Sequence, residues 1–325
     1  MQGDPITGAV VIGRNEGARL IRCLDSVCGQ VAHVVYVDSG SSDGSVDAAR
    51  ARGVHVVELD LDTPFTAARA RNAGLAALPD LAAVEYVQFI DGDCELQQGW
   101  IETALAFLKD TSDAAVAFGR RRERFPEASV YNRLCDWEWD TPIGESVACG
   151  GDALMRVEAL QQVDGYNPHL IAGEEPDLCV RLHGKGWRIW RLDHEMTLHD
   201  AAMTRFSQWW NRTRRAGHAF AEGAALHGAG PTRHWVRETR KAVIWGLILP
   251  LVLLLAAVIG NPWVLLGFAA YPAQFMRLAL REGGDRQAWE RAFFLVLGKF
   301  PEALGVLQYW RGRLSGQRGG LIEYK

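Results

Sequence analysis

The sequence predicts an α/β protein built on a mixed, mainly parallel sheet with flanking helices, followed by an apolar helical hairpin. In the first 120 residues, short runs of β-branched and aromatic residues alternate with helical patterns. Such alternation is typical of βαβ units, whose strands are parallel. Towards the C-terminus, residues 242–259 and 263–276 form two uncharged runs separated by a Gly-Asn-Pro turn.

Four strands are predicted in the N-terminal part of the chain, at residues 9–12, 33–37, 54–57 and 86–90. Helices are predicted between them, at residues 18–28, 45–52 and 66–78, and a later one at residues 202–226. Because the loops that follow parallel strands meet at one edge of a sheet, we expect the binding groups at that edge.

The composition is that of a folded protein, since 48% of the 325 residues are hydrophobic and 23% are charged. The net charge of -4 and the pI near 6.2 argue against a nucleic-acid-binding protein, because contact with phosphates requires a basic surface. The six cysteines form no Cys-x-x-Cys pair, so we expect reduced thiols in a cytosolic compartment. The polar residues 1–4 predict no secretory signal peptide.

The apolar run at residues 242–259 has 18 residues without a charge, which just reaches the length of a membrane span. Basic residues flank the two runs on both sides, at Arg233, Arg237, Arg240 and Lys241 and at Arg277, Arg281, Arg286 and Arg291. Because basic flanks stay cytoplasmic, both ends of the hairpin are expected on that side of the membrane. A re-entrant hairpin and two full spans remain open, and a buried core helix is the alternative to both. Residues 292–310 predict an interfacial helix.

Two Asp-x-Asp pairs follow predicted strands, Asp60-Leu61-Asp62 and Asp91-Gly92-Asp93. Two carboxylates on one turn can bind Mg²⁺ or Mn²⁺ and leave positions for phosphate oxygens. The second pair ends the fourth predicted strand, and its central glycine lets the backbone approach a ligand closely. We therefore expect the metal site at the second pair and a solvated loop at the first.

Short motifs occur in a fixed order over residues 6–200: Gly13-Arg14-Asn15-Glu16, Val37-Asp38-Ser39-Gly40-Ser41-Ser42-Asp43-Gly44, Arg71-Asn72-Ala73-Gly74, Asp91-Gly92-Asp93 and Gly173-Glu174-Glu175-Pro176-Asp177-Leu178. In this order they resemble the family 2 inverting glycosyltransferases with the GT-A fold, whose usual patterns are N-E, V-D-D-G-S-T-D, R-N-x-G, D-x-D and E-D-x-D-L. The resemblance implies a GT-A-type, Rossmann-like sheet and transfer of a sugar from a nucleotide diphosphate sugar.

The resemblance also implies roles on the donor side. Asn15, Glu16, Asp38 and Arg71 would bind the nucleotide sugar, with Asp38 reading the base and Arg71 near the base or diphosphate. Ser39 replaces the second aspartate of the family pattern, so that any contact there becomes a hydroxyl contact. A plain turn aspartate and a surface cation are the alternatives for Asp38 and Arg71.

For the metal, Mg²⁺ or Mn²⁺, the resemblance implies Asp93 as a ligand and Asp91 as a contact to ribose or metal. His199, which follows the last strand pattern, corresponds to a further ligand of the metal. A purely structural histidine is the alternative, and His194 is a weaker candidate.

The catalytic base falls on the pair Glu174-Glu175, where the family has Glu-Asp. Glu175 aligns with the base, and Glu174 is the second candidate. Pro176 favours the first position of a helix, so one acid of the pair could instead only cap that helix.

On the acceptor side the residues are Gly150, Gly151 and Asp152. Trp137 and Trp139 are candidate aromatic platforms for sugar or lipid, with helix-face or core tryptophans as the alternative reading.

The sequence therefore predicts three parts. Residues 1–200 form the catalytic domain, with a nucleotide-sugar-binding half (1–120) and a half for acceptor and base (121–200). Residues 201–241 form a basic amphipathic helical region, and residues 242–325 a membrane-associated hairpin and tail.

The expected reaction moves one sugar from a UDP-sugar, the commonest donor, to a glycolipid or cell-surface polysaccharide precursor at the cytoplasmic face of the cell membrane. Single transfer is expected because Gln208-Trp209-Trp210-Asn211-Arg212 lacks the Q-x-x-R-W of processive synthases. A sugar nucleotidyltransferase and a membrane-anchored carbohydrate-binding protein with a degenerate site remain alternatives. A nicotinamide-dependent oxidoreductase is disfavoured, since no G-x-G-x-x-G follows the first strand.

Overall fold

The computed structural model describes residues 6–316. The chain divides into two compact units, Met1–Ala202 and Met203–Lys325. The polar residues 1–4, which bear on the absence of a signal peptide, lie outside the described residues.

The four predicted strands are confirmed and form a parallel half-sheet in the first unit: β1 (Ile6–Gly13), β2 (His33–Asp38), β3 (His55–Glu58) and β4 (Val84–Asp91). The intervening helices are α1 (Ala18–Val27), α2 (Ser45–Arg50) and α3 (Ala67–Ala76). In the registers of β1, Gly13 pairs with Asp38 and Ile12 pairs with Asp91. The carboxyl ends of these strands therefore bring the first predicted site residues to one edge.

The other half of the sheet is mixed. It contains β5 (Cys94–Leu96), β6 (Ala114–Glu123), β7 (Gly144–Ser146), β8 (Ala153–Arg156) and β9 (Arg188–His199), and the order across the sheet is β3-β2-β1-β4-β8-β6-β9-β5 with β7 on β9. β8 is antiparallel to β4 and β6, whereas β6 and β9 are parallel. The remaining helices of this unit are α4 (Trp100–Asp110), α5 (Val130–Glu138), α6 (Val157–Gln161) and α7 (Glu174–Gly184). The predicted mixed sheet with flanking helices is confirmed.

Helix α3 lies directly on the sheet because Gly74 has no side chain. A Cβ there would lie 2.3 Å from Val10 Cγ1 and 2.9 Å from Val37 Cγ2. Arg71 stands three residues earlier, on the same face of the helix, and is likewise buried. Because α3 packs so closely on the sheet, the charged side chain of Arg71 lies buried at the edge of the sheet.

The second unit is helical: α8 (Phe206–His227), α9 (Val236–Val243), a π-helical turn (Ile244–Ile248), α10 (Leu249–Ile259), a 3₁₀ segment (Pro262–Ala269), α11 (Ala270–Arg281), α12 (Arg286–Leu297) and α13 (Lys299–Ser315). The π turn lies just before Pro250, which cannot donate a backbone hydrogen bond and crowds the preceding turn.

The predicted apolar hairpin is confirmed as two helices, Val236–Ile259 and Pro262–Arg281, each long and apolar enough to cross a membrane. Their most apolar windows are only 11% and 6% buried, which disfavours a buried core helix.

Candidate active site

The first two strand loops are tied to each other. Asp38 Oδ2 accepts from the backbone N–H groups of Gly40 and Ser41, at 2.9 and 2.8 Å, and Oδ1 accepts from the hydroxyl of Tyr36 at 2.8 Å. Asn15 has a positive φ of 55°, and its N–H donates to Ser41 Oγ at 2.9 Å. The Asp38 carboxylate therefore shapes its own loop, and about one of its roughly four acceptor positions stays open to a ligand.

The remaining residue predicted in these loops, Glu16, forms an ion pair of 2.7 Å with Arg19. The first Asp-x-Asp pair is exposed, and Asp60 Oδ1 accepts from the N–H of Asp62 at 2.9 Å. That pair caps its own turn, in line with the predicted solvated loop.

Arg71 is the hub of the site. Its guanidinium lies 3.0 Å from Asp91 Oδ1, 3.0 Å from Glu174 Oε1 and 3.1 Å from Glu175 Oε1, and the residue is only 2% exposed. One buried cation thus holds the Asp-x-Asp turn beside both candidate bases. Removing one partner of such a buried ion pair is costly, because it leaves the other charge buried and unpaired.

Arg71→Met should lower the free energy of unfolding by about 3–5 kcal/mol, because three carboxylates would lose their shared cation. Chemical denaturation measures this change. Arg69→Met is the matched control on the same helix, since Arg69 donates to the carbonyls of Asp60 and Thr63 at the surface, and it should cost about 1 kcal/mol. Equal losses in the two variants would contradict the role of Arg71 as hub.

A second arginine of the site was not predicted from the sequence. Arg121 Nη2 lies 3.3 Å from Asp91 Oδ2, its Nε lies 3.6 Å from Asp152 Oδ2, and its guanidinium stands 4.8 Å over the ring of Trp139. The feature of the sequence that could have indicated Arg121 is the run Arg120-Arg121-Arg122 in a strand. Because side chains alternate along a strand, the middle arginine lies on the opposite face from its two neighbours.

Asp152, predicted on the acceptor side, is buried within this network. Its Oδ1 accepts from the N–H of Asp91 at 3.0 Å, and its Oδ2 accepts from the hydroxyl of Thr197 at 2.8 Å. Asp152, which directly precedes β8, thus holds the Asp-x-Asp turn at the end of the neighbouring strand β4. Thr197 is a further contributor that the sequence did not reveal.

Gly151 also lies against this network. We expect Gly151→Ala to reduce kcat/KM by about 10²-fold, because small misplacements of catalytic groups have effects of this size. An added Cβ would lie 2.6 Å from Arg71 Nη2 and 2.9 Å from Asp91 Oδ2. Gly150→Ala is the control, since a Cβ there meets no atom within 4 Å. Similar activity of the two alanine variants would show that the site tolerates the displacement.

The pairing of β5 with β9 sets Asp93 beside His199. Cys94 pairs with His199 in the register, and His199 Nε2 lies 3.2 Å from Asp93 Oδ2. The ligand atoms of Asp93, Cys94 and His199 all lie within 4.8 Å of one another. Burial lowers the pKa of His199, and the charge of Arg121 adds to this, so the neutral imidazole is favoured.

Glu123 stands behind His199, with Oε2 at 3.7 Å from His199 Nδ1. It is held by Asn132 Nδ2 at 3.1 Å and by the N–H of Ala201 at 3.1 Å. Trp139 packs edge-on against the imidazole at 4.6 Å, whereas Trp137 is 38% exposed. Of the two predicted tryptophans, the geometry thus brings Trp139 to His199.

The pair Glu174-Glu175 opens α7. The helix begins at Glu174, after Gly173 in the left-handed region at φ 79°, and not at Pro176 as the sequence suggested. Both acids lie in its first turn, where the helix dipole stabilises anions. Burial raises the pKa of Glu175 to about 7, with the charge of Glu174 adding to the shift and that of Arg71 opposing it. Glu174 is more deeply buried, with 6% of its side chain exposed against 15% for Glu175.

The mixed, mainly parallel sheet with flanking helices has the GT-A-type architecture that the motifs predicted. Residues 9–163 match the family described as Glycosyl transferase family 2. The chain thus carries a family 2 glycosyltransferase domain and is a glycosyltransferase.

Similarity to known proteins extends beyond that domain. The chain is 23% identical to glycosyltransferase AglE of Haloferax volcanii over 330 residues, covering 98% of this chain and 95% of the relative. It is 27% identical to the succinoglycan biosynthesis protein ExoA of Rhizobium meliloti over 285 residues, covering 79% and 86%. The mannosyltransferase PcManGT of Pyrobaculum calidifontis, solved with GDP-Man and Mn²⁺, shares the fold with a TM-score of 0.63 at 18% identity, over 94% of this chain and 87% of that one.

Proposed function

We propose that this glycosyltransferase is metal-dependent and inverting, and that it moves one sugar from a nucleotide diphosphate sugar to an acceptor hydroxyl at a membrane. The observation that carries the proposal is the convergence, at one sheet edge, of a carboxylate–imidazole pair and a carboxylate with a raised pKa. Asp93 with His199 supplies the first group, and Glu175 supplies the second.

The donor set fits a divalent cation. Asp93 offers an oxygen and neutral His199 offers Nε2. Asp91, on the same turn, is paired with Arg71 and Arg121 through its two oxygens and would have to release one of them to become a third ligand. His199 Nδ1 is buried, and within residues 6–316 it has no hydrogen-bond partner, although the Glu123 carboxylate faces it. A carboxylate behind an imidazole orients the ring and raises its basicity as a ligand. Mn²⁺ or Mg²⁺ bound there would act as a Lewis acid for the leaving diphosphate.

Glu175 is the proposed base. An acceptor hydroxyl is a weak nucleophile near neutral pH, and a carboxylate whose pKa lies near the working pH is well matched to take its proton. The side chain of Glu174 is more deeply buried and its Oε1 lies 3.0 Å from Arg71, which suits a positioning role. One base and one displacement invert the anomeric centre, and no covalent intermediate on the protein is needed.

The acceptor and the location are proposed from the second unit and from the relatives. Two exposed apolar helices with basic flanks suit the cytoplasmic face of a membrane that contains anionic lipid. ExoA is named for succinoglycan biosynthesis, which supports a saccharide precursor as acceptor. The proposed division is a catalytic domain at residues 1–200, a basic helical region at 201–241 and a membrane-associated part at 242–325.

A thermal-shift screen of nucleotide sugars, with and without Mn²⁺, tests this proposal. The correct donor should raise Tm because it binds only the folded state, and the rise should require the metal. UDP- and GDP-sugars both belong in the panel, since uridine is the commonest base and PcManGT was solved with GDP-Man. A sugar nucleotidyltransferase would instead respond to a nucleoside triphosphate with a sugar phosphate. No shift with any nucleotide sugar would refute the proposal.

A further inference from the structure

A second cleft lies on the opposite side of strand β6 from Arg121. It has a volume of about 730 Å³ and is lined by β6, β9 and the loop 140–143. Arg120 and Arg122 project into it because side chains alternate along a strand, and Arg191 of β9 completes its basic part. This cleft is separate from the cluster around Asp93 and Glu175.

Two of these arginines are almost completely buried. Arg120 is 5% exposed and Arg191 is 4% exposed. Both point to one carboxylate on the loop: Asp140 Oδ1 lies 3.3 Å from Arg120 Nε and 3.8 Å from Arg191 Nη2. Asp136 gives Arg120 a second partner at 3.2 Å. Asp140 itself has 60% of its side chain exposed, so it is a loosely held partner for two buried cations.

Arg191 is the less well matched of the two. Its Nη1 donates to the carbonyl of Leu192, and within the described part of the chain its buried Nε has no hydrogen-bond partner. Burial lowers the pKa of Arg191, Asp140 opposes that shift and Arg120 adds to it. The Nε–H of Arg191 can therefore donate a hydrogen bond to a planar or tetrahedral oxyanion.

Asp193 and Glu195 also line the cleft and favour the charged form of Arg191, but within the described residues neither forms an ion pair with Arg120 or Arg191. Glu195 is paired with Arg122 through two hydrogen bonds of 2.7 and 2.8 Å. Asp193 is exposed. Asp140 is therefore the carboxylate of this cleft that lies between Arg120 and Arg191.

We propose that this cleft binds an oxyanion, a phosphate or carboxylate group, which replaces Asp140 between Arg120 and Arg191. Asp140 directly follows Trp139, whose ring packs on His199. Movement of Asp140 away from the two arginines would therefore shift Trp139, and with it the ring that packs on His199. The inference does not depend on the proposed donor, metal or base.

Equilibrium binding of inorganic phosphate and of citrate to the full-length protein tests the site. Calorimetry on protein from which divalent metal has been removed, in a buffer free of EDTA and other carboxylates, excludes metal-dependent binding of the probes. Asp140→Ala should tighten binding by roughly fivefold, because it removes the internal competitor. Arg191→Gln should weaken binding by about tenfold or more, because a charged hydrogen-bond donor is lost. Arg188→Gln is the control on the same strand, since Arg188 pairs with Asp113 and Glu145 outside the cleft, and its affinity should match the wild type.

The site is refuted if Asp140→Ala leaves the affinity unchanged or weakens it, because the arginines would then only anchor the loop. This variant alone decides the matter should Arg191→Gln fail to fold. Decyl phosphate below its micellar concentration distinguishes the sources of the anion. Arg191-dependent binding tighter than that of inorganic phosphate supports an anionic group on a lipid acceptor, and equal affinity supports a free soluble anion.

Discussion

Asp93→Asn is expected to abolish metal-dependent sugar transfer, with a loss of about 10³-fold in kcat, since a bound Lewis acid supplies several kcal/mol of charge stabilisation. The substitution removes an anionic ligand from the pair that Asp93 forms with His199 at 3.2 Å. It conserves shape, so the hydrogen bonds around the turn should persist. Initial rates of nucleoside diphosphate release at varied Mn²⁺ concentration measure the effect.

The matched control is Asp62→Asn, in the other Asp-x-Asp pair. Asp62 is exposed, in a turn that Asp60 caps, and the activity and metal dependence of this variant should equal those of the wild type. If Asp93→Asn retains wild-type activity and wild-type dependence on Mn²⁺, the metal site lies elsewhere.

Glu175→Gln is expected to lower kcat by about 10²–10⁴-fold, the range that general base catalysis contributes. Glu174→Gln should have a smaller effect, because Glu174 acts by holding Arg71. The base must be ionised to accept a proton, and its pKa lies near 7. Wild-type kcat/KM, which reports the pKa values of the free enzyme, should therefore rise between pH 6 and pH 8 and then level off. A larger loss in Glu174→Gln would exchange the roles of the two acids.

The same carboxylate should make stability depend on pH. A raised pKa in the folded state means that folding favours the protonated carboxyl group of Glu175. The stabilisation that this preference gives is complete below the unfolded-state pKa near 4.5, and it is lost as the pH rises through the folded-state pKa of about 7. Relative to the wild type, Glu175→Gln should gain up to about 3 kcal/mol at pH 8 and almost nothing at pH 4. Denaturation curves at the two pH values measure the difference. An equal effect at both would argue against a raised pKa.

Local patterns were sufficient for the first half of the catalytic unit. Residues 9–12 are an apolar run, and residues 86–90 are interrupted only by Gln88, which is buried and accepts a hydrogen bond from Trp100. Strands covered on both faces are visible in the sequence because their burial favours nearly continuous apolar runs. Motif order then gave Asp93, Arg71 and Glu175 as candidate site residues, and the structure brings Arg71 into contact with Asp91 and Glu175.

The contributions of Arg121, Glu123 and Thr197 to the site were not predictable in the same way, and the sequence indicated Asp152 only as an acceptor-side residue. Arg121, Glu123 and Thr197 lie on β6 and β9, and Asp152 directly precedes β8. The order of these strands in the sheet does not follow their order in the chain. Which charged residue of Arg120-Arg121-Arg122 faces the site depends on strand register, and a shift of one residue would reverse it. The start of α7 was misplaced because Gly173, with its positive φ, ends the preceding loop earlier than Pro176 indicates.

The anomeric configuration of the first product tests the central claim most directly. With the donor found by thermal shift, ¹H NMR can follow the slow transfer of the sugar to water in the presence of Mn²⁺. A single displacement assisted by Glu175 predicts that the first sugar released has the configuration opposite to that of the donor, before mutarotation. Release with the donor's configuration would contradict the proposed mechanism.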